Sequence, residues 1–184
     1  MSDLFDQLAP KLLSVEGGYV NDPHDSGGET HHGVTVATAR AAGYHGPMRA
    51  MTKATALSIY RSLYWSKPGF DRVADISPDV AAELFDTGVN CGTSVPGPFL
   101  QRCLNLLNQG GSAWPDLAVD GVLGPKSREA LEALLQMRGE AGETVLLKML
   151  NCLQGARYID IAERRPKDER YVYGWFRTRV GLPA

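Results

Sequence analysis

EGGYVNDPHDSGGETHHGVT, residues 16–35, is the stretch that decides the fold of the N-terminal part of this chain. It is rich in turn-forming residues and has β-favouring residues at both ends, which predicts a short, irregular β-hairpin. Apolar residues over 4–15 recur with a helical period, and Ser2 is the predicted N-cap of that helix. We expect Pro10 to kink the helix or to start it late, and the glycines at 17–18 to end it.

Two carboxylates in this stretch suit acid–base chemistry. Glu16 stands at the predicted helix end, where packing can hold its carboxylate and partly desolvate it, which raises a carboxyl pKa as a general acid requires. Asp25 follows nine positions later, in the polar turn, where it should stay ionised. Glycosidases use a pair of carboxyl groups whose different environments give them different pKa values. The structural alternative for Glu16 is hydrogen bonding to nearby backbone amides, but the many glycines beside both carboxylates favour a shaped site.

The same stretch resembles the signature of glycoside hydrolase family 108, the N-acetylmuramidases also described as secretion activators. The family pattern is EGGY, then DP, D, GG, T and GIT, and this sequence matches nearly every element, with Val34 where Ile is usual. The segment MTKATALSIYRSLYW at 51–65 continues the resemblance. It implies a mainly α, lysozyme-like helical fold with one small irregular β-hairpin near the N-terminus.

The resemblance also implies a site. Glu16 matches the catalytic Glu of the family, and its interval to Asp25 equals that of phage-type lysozymes, which implies an inverting reaction. Thr30 resembles the Thr of those lysozymes, one position earlier than their spacing predicts. The segment LFDTGVNCG at 84–92 resembles their cleft-lining helix. The predicted catalytic residues are therefore Glu16, Asp25 and Thr30, and the predicted substrate-binding residues are Tyr19, Asp22, Tyr64, Trp65 and Asn90.

The rest of the chain is predicted to be helical. The expected helices run from Thr52 to about Trp65, from Pro78 towards Asn90, from Pro98 through Leu107, from Pro125 through Leu135, and over about 143–163 and 168–180. We expect a catalytic lysozyme-like lobe at 1–92 and a helical half at 93–184, packed together as one compact unit. The second half resembles a peptidoglycan-binding module at VDGVLGPKSREAL, residues 119–131. The aromatic residues of 171–176 are predicted to serve packing more than sugar stacking.

The amino-acid composition limits the classes of protein to which the chain can belong. With 43% hydrophobic and 22% charged residues, the chain is neither disordered nor a coiled coil, and a formal charge of −2 gives no sign of nucleic-acid binding. Three unclustered cysteines argue against a disulfide framework. Neither a signal peptide nor an apolar run of about 20 residues is visible. We expect a monomer made in the cytoplasm, without stable membrane insertion, that reaches the cell wall by holin-type or other export.

The predicted activity is hydrolysis of the β-1,4 bond between N-acetylmuramic acid and N-acetylglucosamine in bacterial peptidoglycan, without a metal or other cofactor. A zinc-dependent wall amidase is one alternative, because all four histidines lie between positions 24 and 45 near several carboxylates, although no HExxH spacing is present. A second alternative is a non-catalytic protein that binds peptidoglycan or regulates secretion. The intact Glu16 argues against this alternative. A phage endolysin, a bacterial wall-remodelling enzyme and a toxin all fit the sequence.

Overall fold

A computed structural model describes residues 3–13, 18–21 and 28–181 of the chain. The chain divides into two compact units, Met1–Lys67 and Pro68–Ala184. In the described part it is mainly α-helical with one two-stranded antiparallel hairpin, so the predicted fold class is confirmed. None of the described helices is long and apolar enough to cross a membrane.

The first unit opens with the predicted helix, α1 (Leu4–Leu13). The backbone N–H of Phe5 donates to Asp3 Oδ1 at 3.2 Å, which satisfies one of the free amides at the helix start. Because α1 already begins at Leu4, the prediction that Pro10 starts it late is wrong. Its predicted N-cap, Ser2, and its predicted end at 17–18 fall partly or wholly outside the described residues.

The predicted hairpin is present. Strands β1 (Thr30–His31) and β2 (Val34–Thr35) pair antiparallel. The two residues between them, His32 and Gly33, have φ of 49° and 74°. Two-residue turns with positive φ at both positions match the twist of paired strands, and glycine adopts this conformation without steric cost.

Helix α2 (Val36–Ala41) follows the hairpin directly, and a short 3-10 turn (Met48–Ala50) leads on to α3 (Lys53–Tyr60). As predicted, Thr52 caps α3, with Thr52 Oγ1 accepting the N–H of Thr55 at 3.1 Å. One buried cluster of this unit combines residues from the hairpin, the helices and the chain between them: Val34, Ala39, Met48, Met51, Ala56 and Ile59.

The end of α3 differs from the prediction. The chain continues in π-helical geometry over Arg61–Ser66. A π turn takes more residues per turn than an α-helix and so rotates the following side chains. Leu57, Tyr60 and Tyr64 are only half-buried, whereas Trp65 beyond them is buried.

The second unit is helical throughout its regular structure. Its elements are α4 (Phe70–Ala74), α5 (Pro78–Cys91), α6 (Pro96–Leu107), α7 (Pro125–Arg164), a 3-10 turn (Pro166–Asp168) and α8 (Glu169–Arg179). Helix α5 packs against α4, α6 and α7, and α8 packs on α7. The helices predicted at Pro78, Pro125 and 168–180 are confirmed, and the one predicted at Pro98 begins two residues earlier.

Helix α7 joins two predicted helices end to end. Gly139, with φ 56° and ψ −145°, is non-helical and lies between the part that starts at Pro125 and the part predicted over 143–163. Positive φ costs glycine little, so this residue can redirect the chain without an intervening loop.

One of the side chains that hold the loop between α6 and α7 to helix α6 is the buried Gln101. Its Nε2 donates to Asp120 Oδ1 and its Oε1 accepts the N–H of Gly121, both at 2.8 Å. The hydrogen bond from Gln101 is the main reason that the pKa of Asp120 lies below its usual value. The turn in the 119–131 segment is therefore held by specific bonds to α6.

Candidate active site

The three carboxylates predicted to do the chemistry, Glu16, Asp22 and Asp25, lie outside the described residues. Their roles stay predictions. The structure describes the elements on either side of them, which are α1, residues 18–21 and the chain from residue 28 onward.

A pair of backbone hydrogen bonds closes the loop that contains Asp22 and Asp25. Val20 and Thr30 exchange reciprocal N–H to carbonyl bonds, each of 2.8 Å. Thr30 is also paired on its other side with Thr35 of β2. Both ends of the loop are thus fixed, because residues with paired backbones on a small sheet have little freedom left. The hydroxyl of the half-buried Thr30 lies 3.4 Å from the carbonyl oxygen of Gly28.

Tyr19 stands at the centre of a polar cluster beside this loop. Its hydroxyl donates to Glu29 Oε1 at 2.7 Å. The guanidinium carbon of Arg49 lies 4.4 Å from the centre of the Tyr19 ring, a cation–π geometry. The ring of His31 meets the Tyr19 ring edge-on, with centroids 6.0 Å apart. The predicted substrate residue Tyr19 is therefore held in one orientation by three neighbours.

The hairpin turn carries two stacked histidines. His31 and His32 have ring centroids 4.1 Å apart and nearly parallel planes. His31 Nδ1 lies 2.7 Å from the carbonyl oxygen of Met48. The pKa of His32 is lowered, mainly by desolvation and further by the charges of His31 and Lys53. Among the residues that the structure describes, no three His, Cys, Asp or Glu side chains come together as a metal site would require.

The two aromatic residues predicted to contact substrate from the end of α3 differ in position. Tyr64 is half-buried, with its ring 5.5 Å from that of Tyr60. Trp65 has only 2% of its surface exposed, and its ring lies 6.1 Å from that of Phe5 on α1. Trp65 thus serves as core packing that ties the π turn to α1, and little of its surface is left for a sugar.

Asn90, the last of the predicted substrate residues, belongs to the second unit. It lies near the end of α5, and its side-chain Nδ2 donates to the carbonyl oxygen of Asp86 at 2.7 Å. This bond back along the helix fixes the amide orientation. Asn90 borders a cavity of about 340 Å³ within that unit.

Comparison with known families accounts for nearly all of the chain. Residues 9–92 match the family model described as glycosyl hydrolase 108. These residues belong to the glycosyl hydrolase 108 family. Residues 95–180 match a second model, described as a predicted peptidoglycan domain. The chain is therefore a glycoside hydrolase that acts on peptidoglycan, as the sequence predicted.

A solved structure supports the fold of this chain. The structure of SagA from Brucella abortus is similar to it, with a TM-score of 0.58 and 25% identity. The likeness covers 94% of this chain and 87% of the SagA chain. Comparison with functionally curated proteins found no match.

Sequence reasoning missed two residues of the family 108 domain that the structure brings to Tyr19, namely Glu29 and Arg49. The antiparallel pairing of Val20 with Thr30 brings Glu29 near Tyr19. The predicted hairpin could therefore have indicated that these two residues are neighbours. Arg49 comes from a 3-10 turn after α2, and no local pattern in the sequence connects it with Tyr19.

The second unit contains a polar cluster that the sequence did not reveal. Asp86 accepts hydrogen bonds from Gln154 Nε2 at 2.9 Å and from Arg179 Nη1 at 2.5 Å. One turn earlier on α5, burial raises the pKa of Glu83 to about 7, with a further contribution from the Asp86 charge. Glu83 Oε1 is buried and has no hydrogen-bond partner among the described residues. The α5–α7 interface thus carries a carboxyl whose charged form is disfavoured by burial.

Proposed function

We propose that this hydrolase is a muramidase that cleaves the β-1,4 bond between N-acetylmuramic acid and N-acetylglucosamine. Glu16 protonates the leaving glycosidic oxygen, and Asp25 activates a water or stabilises the oxocarbenium-like transition state. Thr30 helps to place that water. Proton transfer and electrostatic stabilisation suffice for this chemistry, so the proposal requires no metal or organic cofactor.

The match of residues 9–92 to glycosyl hydrolase 108 is the observation that carries the proposal, because Glu16 and the whole EGGYVNDPHDSGGETHHGVT stretch fall within it. The closed hairpin supports it. A catalytic group must be held within a fraction of an ångström of its working position, which favours rigid supporting elements. The Val20–Thr30 bonds supply such an element at the loop that contains Asp25.

The proposal leaves Asp22 as the alternative to Asp25 for the second carboxylate, since both lie in the same closed loop between Val20 and Thr30. Asp25 is preferred because its interval from Glu16 suits the carboxyl separation of about 6.5–9.5 Å that an inverting enzyme needs. Asp22 precedes a proline, a position at which aspartate commonly starts a turn.

Chemical analysis of the products tests the cleaved bond. Purified peptidoglycan is digested with the protein, reduced with borohydride and examined by mass spectrometry. A muramidase leaves N-acetylmuramic acid at the new reducing ends, so reduction should convert that sugar to its alcohol. Reduced N-acetylglucosamine instead would identify a glucosaminidase and refute the proposed bond. Release of peptides without new reducing ends, abolished by a chelator, would identify a zinc amidase.

Glu16→Gln serves as the control because it keeps the shape of the side chain and removes the transferable proton. General acid catalysis contributes at least about a hundredfold, so the variant should release reducing sugar at least that much more slowly. Its melting temperature should stay close to that of the unchanged protein. An active Glu16→Gln protein that still forms reduced N-acetylmuramic acid would leave the bond assignment standing and refute the role of Glu16.

A further inference from the structure

A cavity of about 340 Å³ lies wholly within the second unit, where the end of α5 meets α7 and α8. Its size is at the lower end of the range typical of small-ligand sites, about 300–1,000 Å³. Asn90 borders it from α5, Arg157 and Arg164 from α7, and Tyr171 and Trp175 from α8. We call it the α7–α8 pocket.

One wall of the α7–α8 pocket is aromatic. The Trp175 ring stacks on Tyr158, with centroids 4.9 Å apart and planes 22° apart, and Tyr158 is 1% exposed. Tyr171, whose centroid is 5.9 Å from that of Trp175, continues the wall towards solvent. Trp175 is itself half-buried, so packing orients its ring while part of its surface stays accessible. Rigid aromatic surfaces of this kind bind apolar faces at low entropic cost.

Most of the lining residues from α7 and the turn after it are charged, with an excess of cations. Asp160 is held between Arg157 Nη1 and Arg164 Nε, each at 2.8 Å from a carboxylate oxygen. Each of these arginines uses one nitrogen for that contact, and a guanidinium has five N–H donors. The pocket-lining arginines, which include Arg165, outnumber the lining aspartates, Asp160 and Asp168, by three to two. The α7–α8 pocket therefore carries a formal charge of +1.

The arginines and the aromatic residues together indicate which class of ligand the α7–α8 pocket can bind. Arginines that keep unused donors recognise carboxylates through charge-assisted hydrogen bonds. The neighbouring aromatic wall suits the apolar face of a sugar ring or a short aliphatic side chain. Peptidoglycan carries carboxylates on the stem peptide, and on the lactyl group of any muramic acid from which the stem peptide has been removed, because the stem is otherwise joined to that group as an amide.

We propose that the α7–α8 pocket binds a carboxylate of peptidoglycan, with the arginines of α7 holding the carboxylate and Trp175 packing against the group that bears it. The choice of polymer rests on the proposed function, whereas the charge and shape of the pocket do not. The pocket gives the residues that match the predicted peptidoglycan domain a defined binding surface.

Binding of soluble fragments to the full-length Glu16→Gln protein tests the proposal, because this protein should not consume its ligands. Titration calorimetry is run with three probes. These are the disaccharide of N-acetylglucosamine and N-acetylmuramic acid with a free lactyl carboxylate, the same disaccharide carrying a stem tetrapeptide, and a chito-oligosaccharide without carboxylates. We expect at least one acidic probe to bind and the chito-oligosaccharide to bind at least tenfold more weakly. Tighter binding of the free disaccharide would identify the lactyl carboxylate as the bound group. Tighter binding of the disaccharide with the tetrapeptide would identify a carboxylate of the stem peptide.

Arg164→Glu is the decisive variant, since the Arg164 side chain is 74% exposed and its reversal should leave the fold intact. It should weaken binding of the acidic probe by at least about tenfold, the factor that corresponds to one charge-assisted hydrogen bond. Arg177→Glu makes the same charge change at an exposed position of α8 that does not border the pocket, and should bind normally. Equal binding by both variants, or equal binding of all three probes, would overturn the proposal.

The outcome is separable from that of the proposed function. If the unmodified protein forms reduced N-acetylmuramic acid ends but the Glu16→Gln protein binds none of the probes, the pocket proposal fails and the muramidase stands. If an acidic probe binds and Arg164→Glu abolishes that binding while no reducing ends appear, the muramidase fails and the pocket proposal stands.

Discussion

The hydroxyl of Tyr19 donates a 2.7 Å hydrogen bond to the carboxylate of Glu29, across the ends of the loop that contains Asp22 and Asp25. Together with the backbone bonds between Val20 and Thr30, it makes two independent ties between the same two chain segments. The described segments on the two sides of residues 22–27 are thus held together by side chains as well as by backbone pairing.

Tyr19→Phe removes this side-chain tie and keeps the ring. A hydrogen bond to a charged group contributes about 1.5–3 kcal/mol when it is well made, and we expect a loss of unfolding free energy near the lower value. We also expect slower release of reducing sugar from peptidoglycan, because the loop end is less firmly held. Denaturant unfolding and the reducing-sugar assay measure the two effects.

Tyr44→Phe is the matched control for Tyr19→Phe. Tyr44 donates to the carbonyl oxygen of Pro47 at 2.9 Å in an exposed part of the same unit. Tyr44→Phe should lower the unfolding free energy less than Tyr19→Phe does, and should leave the rate of reducing-sugar release unchanged. A Tyr19→Phe protein as active and as stable as the Tyr44→Phe protein would show that the bond to Glu29 does not position the loop.

Comparison of Asp25→Asn with Asp22→Asn assigns the second carboxylate. We expect Asp25→Asn to lose most of its activity at an unchanged melting temperature, because the amide can neither accept a proton nor balance positive charge. Asp22→Asn should retain more activity. An inactive, folded Asp22→Asn protein beside an active Asp25→Asn protein would exchange the roles. Detection of the β-anomer as the first product, by NMR during the reaction, would refute inversion.

Glu83 should make the fold less stable as the pH rises. Its pKa is about 7 in the folded chain, against an ordinary value of 4.5. Below pH 4.5 the carboxyl is neutral in both states. Between 4.5 and 7 it ionises only in the unfolded chain, so its contribution to stability is lost progressively. At pH 8 the full penalty of about 3 kcal/mol applies.

Glu83→Gln tests this pH dependence because the amide stays neutral. The free energy of unfolding, measured with denaturant at pH 5 and pH 8, should rise more at pH 8 than at pH 5 when Glu83 is replaced. Glu140→Gln removes the same charge from an exposed position of the same unit and serves as the control. If Glu83→Gln changes the stability equally at both pH values, burial does not disfavour the charged form of Glu83.

Gly97 should resist substitution because α6 approaches the 119–131 turn at this residue. A Cβ on Gly97 would lie 2.5 Å from the carbonyl oxygen of Gly121, a residue whose backbone N–H donates to Gln101. Overpacking of this kind costs about 1–3 kcal/mol, so Gly97→Ala should lower the melting temperature.

Gly174→Ala provides the comparison for Gly97→Ala. Gly174 lies inside α8, and a Cβ there would meet no atom within 4 Å. Alanine has the higher helix propensity by about 1 kcal/mol, so this variant should be slightly more stable. Thermal unfolding of both variants measures the difference, and a Gly97→Ala protein as stable as Gly174→Ala would mean that α6 and the turn are not in tight contact.

Features that depend on neighbouring residues could be predicted from the sequence. The cap at Thr52, the helix start at Pro78 and the presence of a hairpin in the 16–35 stretch follow from local backbone preferences, and the structure confirms them. The turn at His32 and Gly33 was not predicted. The EGGYVNDPHDSGGETHHGVT stretch also revealed the family, since its glycines and carboxylates recur at fixed spacing.

Only the tertiary structure decided which side chains meet across the chain. Periodicity indicated the helix after Thr52 but not the π turn that rotates Trp65 into the core beside Phe5. No local sequence pattern indicates that Arg49 contacts Tyr19, or that Asn90 and Trp175 both line the α7–α8 pocket. Such contacts arise when packing of the apolar faces brings distant segments together, and packing depends on the shapes of all the elements at once.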